Sequence, residues 1–345
     1  MQITFLVGNG FDISCGIHSS YSCFYKWYCK QEKSSKDHIN VFRDTIDKDI
    51  ASGKKHWADF EAALGQYTSN FTKETAQQFV DCYRDAHERL MEYLERETKR
   101  FSDTIDSEEI AKMRKGLDKF YGELSPREIQ LFDAMFQANI GSDTTIRFIS
   151  FNYTDTLDKC IADVSKEPLR IWTDTANRQR RFIVNPTIIH VHGMLNRYPT
   201  FGVNDESQIA NKDLLSYPNF AQVIIKPKCI DALGELWHTE SENVIKSSNI
   251  ICIFGMSMGI TDTKWFESIM DWLLEKGDRH LIIYWHTDTP SNGISPWATL
   301  ENRREAITKI TDFSSLTGAG IDEISKRIHI IENTKKVLQV KLKSV

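Results

Sequence analysis

Ile3-Thr4-Phe5-Leu6-Val7-Gly8-Asn9-Gly10-Phe11-Asp12 opens the chain, and its reading decides the fold class. Ile3 to Val7 is a β-branched and aromatic run that stops at glycine, which predicts a buried strand feeding a tight loop. Gly8-Asn9-Gly10 directly after that strand suits a phosphate cradle, because glycine lets the backbone approach a pyrophosphate and loop amides can point at it. The six-residue dinucleotide fingerprint requires glycine at position 13, where the chain has Ile13, so the ordinary dehydrogenase pattern is absent. The Walker pattern is absent too. A plain strand-ending turn, with Asp12 capping the next helix, is the competing reading.

Outward from this loop the chain changes character twice. From Ser19 or Ser20, either of which suits a helix cap, Tyr21, Phe24, Tyr25 and Tyr28 follow a helical face. Phe79, Cys82, Tyr83, Ala86, Leu90, Tyr93 and Leu94 recur at threes and fours along one long amphipathic helix. Ser125-Pro126 with Glu128 predicts an N-cap and a further helix through about Ala138. Past residue 145 the runs become short and almost wholly apolar: Ile146–Phe151, Thr187–Val191, Ile250–Phe254 and Leu281–Trp285, with His329–Ile331 as an edge strand. Continuous rather than alternating hydrophobicity predicts parallel strands covered by helices on both faces. The expectation is one α/β, Rossmann-like domain over residues 1–345, with a helical insertion at about 20–140 between the first and second strands.

Composition narrows the function classes. Lys and Arg number 43 against 48 Asp and Glu, a formal charge of −5, so no global field argues for nucleic acid or an anionic membrane. No apolar run approaches the roughly 20 residues of a membrane span, and Met1 to Gly8 lacks the features of a signal peptide, which points to the cytoplasm. The 7 cysteines form no C-x-x-C pair, so free buried thiols are expected rather than a zinc cage or disulfide framework.

Chemistry-bearing residues fall at predicted strand ends. Phe151-Asn152-Tyr153-Thr154-Asp155 places a carboxamide and a carboxylate where α/β folds bind ligands. Equally, Asn152 could end the strand and Thr154 or Asp155 cap the next helix. His190-Val191-His192-Gly193 closes the third strand, and alternation puts both histidines on one face. Gly255-Met256-Ser257-Met258-Gly259 matches the G-x-S-x-G of a nucleophile elbow, with Asp262, Asp278, His280, His286 and Asp288 downstream to complete a triad. It also reads as a nucleotide-binding loop in which Ser257 bonds a phosphate or ribose, with Asp262 starting a helix. Trp57-Ala58-Asp59-Phe60-Glu61 sets two carboxylates beside an aromatic stripe in the insertion.

Gly8 to Asp12, Trp57 to Gly65, Phe151 to Asp155, His192-Gly193 and Gly255 to Asp262, in that order, resemble the AbiH family of bacterial abortive phage-infection proteins. That family is similar in turn to sirtuins: Gly8, Gly10, Gly16 and Ile17 match the NAD-binding loop, while Asn9, Asp12 and His18 depart from it. The resemblance implies a sirtuin-like fold, with His192 and Asn152 as catalytic residues. It implies cofactor binding by Gly8, Asn9, Gly10, Phe11, Asp12, Asp155, Gly255 and Ser257. The paired-cysteine zinc module of sirtuin deacylases is missing, so what is implied is hydrolysis of NAD, with no metal, rather than deacylation. A phage-derived trigger and a homo-oligomer are also implied as partners. The alternatives are a non-catalytic nucleotide-sensing module and a serine hydrolase acting through Ser257.

Overall fold

Gln2–Val7 forms β1 in the computed structural model, which describes residues 1–53, 60–173, 176–290 and 296–345. Its residues from Ile3 to Val7 are fully buried because both faces are covered, as the unbroken apolar run predicts. β1 pairs in parallel with β2 (Thr144–Ser150) on one side and β5 (Ile250–Phe254) on the other. β4 (Gln179–His190), β6 (His280–Trp285) and β7 (Ile328–Glu332) complete the parallel set, and β3 (Arg170–Thr173) runs antiparallel to β4 at the edge. Across the described residues the order is β3-β4-β2-β1-β5-β6-β7. Counted over the parallel strands alone this is 3-2-1-4-5-6, the doubly wound Rossmann order. The chain moves outward from β1 to one side through β2 and β4. It then returns to the other side at β5, so the topological switch point lies between β1 and β5.

Two sheet features depart from the sequence reading. β4 starts at Gln179, well before the expected Thr187, and its register against β2 shifts between Ile146 and Phe148. Pro186 falls in this irregular stretch, where a residue without an N–H does least harm to a ladder, and it masks the strand in the sequence. The β3–β4 hairpin is rich in Arg and Gln and half exposed, so it carries none of the apolar continuity that marks the inner strands.

Helices cover both faces. Against one face, Ile3, Phe5, Phe148 and Cys252 pack on α6 (Ser107–Asp118), α7 (Pro126–Ala138) and α8 (Thr156–Val164). The opposite face, with Leu6, Ile149 and Ile253, packs on α11 (Trp237–Ser247), α12 (Thr263–Glu275), α13 (Pro296–Thr311) and α14 (Ala319–Ser325). Ser125 and Glu128 make the expected capping box at the start of α7.

The helices between β1 and β2 thus divide by what they bury against. After the short α1 (Gly10–Ser14), α2 (Tyr21–Tyr28), α3 (Val41–Ala51), α4 (Phe60–Tyr67) and α5 (Ala76–Thr98) enclose an aromatic core of their own. Phe201, Leu214, Phe220 and Ile224, from the long segment after β4, close that core. This segment also carries α9 (Phe220–Ile224) and α10 (Lys226–Leu233). Ser20 caps α2 by accepting from the Cys23 amide, and the seven apolar positions read from Phe79 to Leu94 all lie buried on α5. No helix among the described residues is long and apolar enough to cross a membrane.

Candidate functional site at the carboxyl ends of four strands

The register sets Val7, Ser150 and His190 level with one another, and Val7 level with Phe254. The residues after each therefore emerge together at the carboxyl end of β4, β2, β1 and β5. This is where the sequence placed its candidates, and the structure brings Asp12, Asn152, His192 and Gly255 to that one end.

The glycines are needed by the backbone itself. A Cβ on Gly10 would stand 2.5 Å from the Gly255 Cα, and one on Gly8 would stand 2.7 Å from the Gly255 oxygen. Gly255 has φ +65°, a left-handed conformation that glycine adopts without penalty. The two loops are hydrogen-bonded to one another: the Gly8 amide donates to the Phe254 carbonyl and the Gly10 amide to Gly255, while the Phe11 amide turns back to Gly8. Asn9 staples the loop, its carboxamide accepting from the Ser19 hydroxyl and donating to the Ser19 carbonyl. Phe11 is buried in the sheet core.

Asp12 does not cap α1; it sits inside that helix, with Asn9 at the N-cap position. Its carboxyl is 1 % exposed, accepts from the Thr154 hydroxyl at 2.7 Å and leaves Oδ1 without a partner. Burial pushes its pKa up to about 7, against the opposing pull of Thr154 and of the Asn152 carboxamide. Asn152 lies near enough to favour the Asp12 carboxylate without making a full hydrogen bond, and its own Oδ1 and Nδ2 are both buried and unpartnered. Asp155 occupies the N-cap position of α8 but turns its side chain outward to Lys159, 3.1 Å away.

The expectation that His190 and His192 share a face is overturned. β4 ends at His190, so the alternation of side chains stops there. His190 points to α8, with Nε2 3.0 Å from Asp158 and Nδ1 3.1 Å from the Asn152 carbonyl. His192, beyond the strand end, lies edge-on to Phe151 on the opposite face, with Nε2 3.0 Å from Asp262 Oδ1. Its Nδ1 is buried and has no partner. Gly193 makes the bend, with φ +73° and the Tyr198 carbonyl in the space a Cβ would take.

Asp262 does precede α12, at its N-cap position, but its side chain makes no cap. It bonds His192 and, at 3.1 Å, the ammonium of Lys226. Lys226 begins α10 and is 2 % exposed; its second partner is Glu61 of α4, 2.6 Å away. Burial alone would favour the neutral carboxyl of Asp262, but Lys226 and His192 hold its pKa well below the usual carboxylate range. Trp57 and Asp59 lie outside the described residues.

Ser257 is exposed, and among the described residues no histidine hydrogen-bonds to it. The left-handed residues of its turn are Gly255 and Met258, the latter at φ +49°, not the serine. A nucleophile elbow strains the serine itself and leads straight into a helix, whereas α12 begins at Thr263. The downstream histidines are placed elsewhere: His280 bonds His329, and His286 stands exposed beside Asp288. No group of three metal-ligating side chains occurs among the described residues.

Sequence reasoning missed Lys226. A lysine in the apolar run Ile224-Ile225-Lys226-Pro227 was the available signal, because lysine is almost never fully buried unless paired.

A family model described as Bacteriophage abortive infection AbiH matches residues 4–284, from β1 to the end of β6. The chain belongs to the AbiH family. Membership implies a role in abortive infection by bacteriophage, and the matched range takes in every element that builds the strand-end site. Nothing among the curated proteins compared matches the chain.

Proposed function

We propose that this AbiH protein binds NAD as a substrate across the carboxyl ends of β4, β2, β1 and β5 and hydrolyses its nicotinamide–ribose bond, depleting NAD during phage infection. The observation that carries this reading is the gathering at this strand end of four of the buried polar atoms that lack a partner: Asn152 Oδ1 and Nδ2, His192 Nδ1 and Asp12 Oδ1. Each such atom costs about 1–3 kcal/mol in a folded protein. Such atoms are few in native structures, and a catalytic role or a bound water or ion is among the reasons they persist. They stand beside the switch point, where doubly wound sheets bind dinucleotides.

In this reading Asn152 orients the ribose hydroxyls or the attacking water. His192 accepts the water proton at Nδ1 as the new C1′–oxygen bond forms and the C1′–nitrogen bond breaks, its electron pair leaving with nicotinamide. Ser257 and the Gly255 turn flank the phosphates. The amides of Gly8, Gly10 and Phe11 already donate within the protein, so Gly8, Gly10 and Phe11 shape the phosphate wall. Asn9 holds that wall in place, and Asp155 lies at its outer edge.

A phage-derived trigger and self-association belong to the same proposal. The test is to follow cellular NAD after phage challenge in cells carrying the wild type, Asn152→Ala or His192→Ala. NAD should fall in the wild type and persist in both variants at equal protein abundance. NAD loss that is equal in all three overturns the assignment. Calorimetric binding of NAD with the ligand recovered intact from challenged cells' purified protein replaces hydrolysis with nucleotide sensing.

A further inference from the structure

The partners of His192 close into a ring that leaves its backbone and returns to its side chain. The Thr200 amide and hydroxyl both donate to the His192 carbonyl, at 2.7 and 3.2 Å. The Thr200 carbonyl accepts from the Tyr153 hydroxyl at 2.9 Å, and that hydroxyl shares its hydrogen with Glu61 Oε1 at 3.1 Å. Tyr21 donates to the same Oε1, which leaves Oε2 for Lys226. Lys226 then reaches Asp262 Oδ1, the oxygen that also meets His192 Nε2. The ring draws on α4 of the insertion, the loops after β2 and β4, the start of α10 and the residue before α12.

We infer that Glu61 and Lys226 are positioning residues that set the tautomer of His192: the buried pair fixes Asp262 as a carboxylate, Asp262 takes the Nε2–H, and Nδ1 is left as the proton acceptor. This rests on the reading of His192 as the base of the proposed hydrolysis, but its primary readout needs no turnover.

The physical case runs through charge. A half-buried carboxylate such as Asp262 against a neutral imidazole carries a desolvation penalty that the hydrogen bond alone does not offset. Lys226 supplies the missing cation. An ammonium has three donors, and unless a second acceptor fixes its head it has no defined direction. Glu61 is that acceptor, itself aimed by two tyrosine hydroxyls.

The other titratable groups near His192 leave this balance intact. His238 of α11 lies edge-on to Trp265; its pKa is pushed down to about 4 by burial, then by His192, Lys264 and Lys226, so it stays neutral near pH 7. Lys264 of α12 is paired with Glu242 at 3.2 Å. His190 is turned to Asp158 on the other face.

A salt bridge that merely joins the insertion to the sheet would leave the imidazole tautomer unchanged. The full chain, labelled with 15N in histidine, is therefore titrated by NMR, with the His192 ring signals assigned by their absence from His192→Ala. The wild type should show His192 as the Nε2–H tautomer near neutral pH. Asp262→Leu, similar in size and without an acceptor, should lose the Nε2–H preference. Lys226→Met, which removes the cation that fixes Asp262 as a carboxylate, should lose the Nε2–H preference too, and Glu61→Gln, which frees the ammonium head, should weaken it.

Where Asp262→Leu or Lys226→Met fails to fold, Glu61→Gln carries the test alone. An Nδ1–H tautomer in the wild type, or a tautomer ratio unchanged in folded Lys226→Met or Glu61→Gln, overturns the inference. If the NMR results appear as expected but no NAD is cleaved, the hydrolase reading falls and the network stands. If NAD is cleaved, kcat should fall in Glu61→Gln in step with the loss of the Nε2–H tautomer.

Discussion

Two pairs of buried histidines sit at opposite ends of the same sheet, and they differ in what is left over. At the amino ends of β6 and β7, His280 meets His329 at 3.0 Å, His329 meets Glu128 at 2.9 Å, and Glu128 also takes Arg303 and the Ser125 cap. Among the described residues, no buried polar atom of that cluster lacks a partner. At the carboxyl ends, His192 Nδ1 and the whole Asn152 carboxamide lack one. Residue type and burial are alike. Satisfaction separates the two: the first cluster joins α7 and α13 to the sheet, and the second leaves buried polar atoms that the proposed ligand would complete.

Exchanging the two roles by mutation gives the largest expected effects. His192→Ala should lower NAD cleavage by about a thousandfold, the span of a lost general base, with an unfolding midpoint close to that of the wild type. Glu128→Ala should do the reverse: a stability loss of about 3 kcal/mol in urea unfolding, from a lost cap and a broken buried ion-pair network, with unchanged cleavage per folded molecule. A severely unstable His192→Ala or an inactive but stable Glu128→Ala breaks the comparison.

Smaller effects sharpen it through pH. Burial disfavours the Glu128 carboxylate, but hydrogen bonds from His329 and Ser125 and the charges of His329 and Arg303 outweigh it and bring its pKa down to about 2. A depressed folded-state pKa contributes stability above the unfolded value, and that stability is lost as pH falls from about 4.5 towards 2. Asp12 has the opposite sign. Its folded pKa is raised by burial to about 7, so its contribution is complete below the unfolded value near 3.8 and is lost as pH rises to about 7. Asp12→Asn should remove a slope on the order of 1 kcal/mol per pH unit across that window, measured by urea unfolding at successive pH values. An unchanged slope means that Asp12 is solvated. The smallest effect is expected at exposed Ser257: Ser257→Ala should raise KM for NAD by less than about tenfold and leave kcat unchanged, whereas a serine nucleophile would lose all activity.

How much of this was legible follows from the range of each interaction. The inner strands announced themselves because a strand covered on both faces must be apolar at every position, and α5 and α7 because a stripe and a capping box are local patterns. The β3–β4 hairpin did not, since an exposed edge needs no apolar run and Pro186 interrupts β4. The strand-end candidates Asn152 and His192 were legible because they directly follow apolar runs, although their opposite faces were not. That depended on β4 stopping at His190.

Sequence by itself determined the α/β class, the parallel inner strands and the residues that stand at their carboxyl ends, because periodicity and chain punctuation are read within a few residues. Only the tertiary structure decided which of them meet. Glu61, Lys226 and His192 are separated by 165 and 34 residues, and their ring forms because β1 lies between β2 and β5 while the insertion folds back over that end of the sheet. The same packing decided that Gly8 and Gly10 serve a backbone contact with Gly255, and that the opening loop forms a wall of the site already hydrogen-bonded to its neighbour.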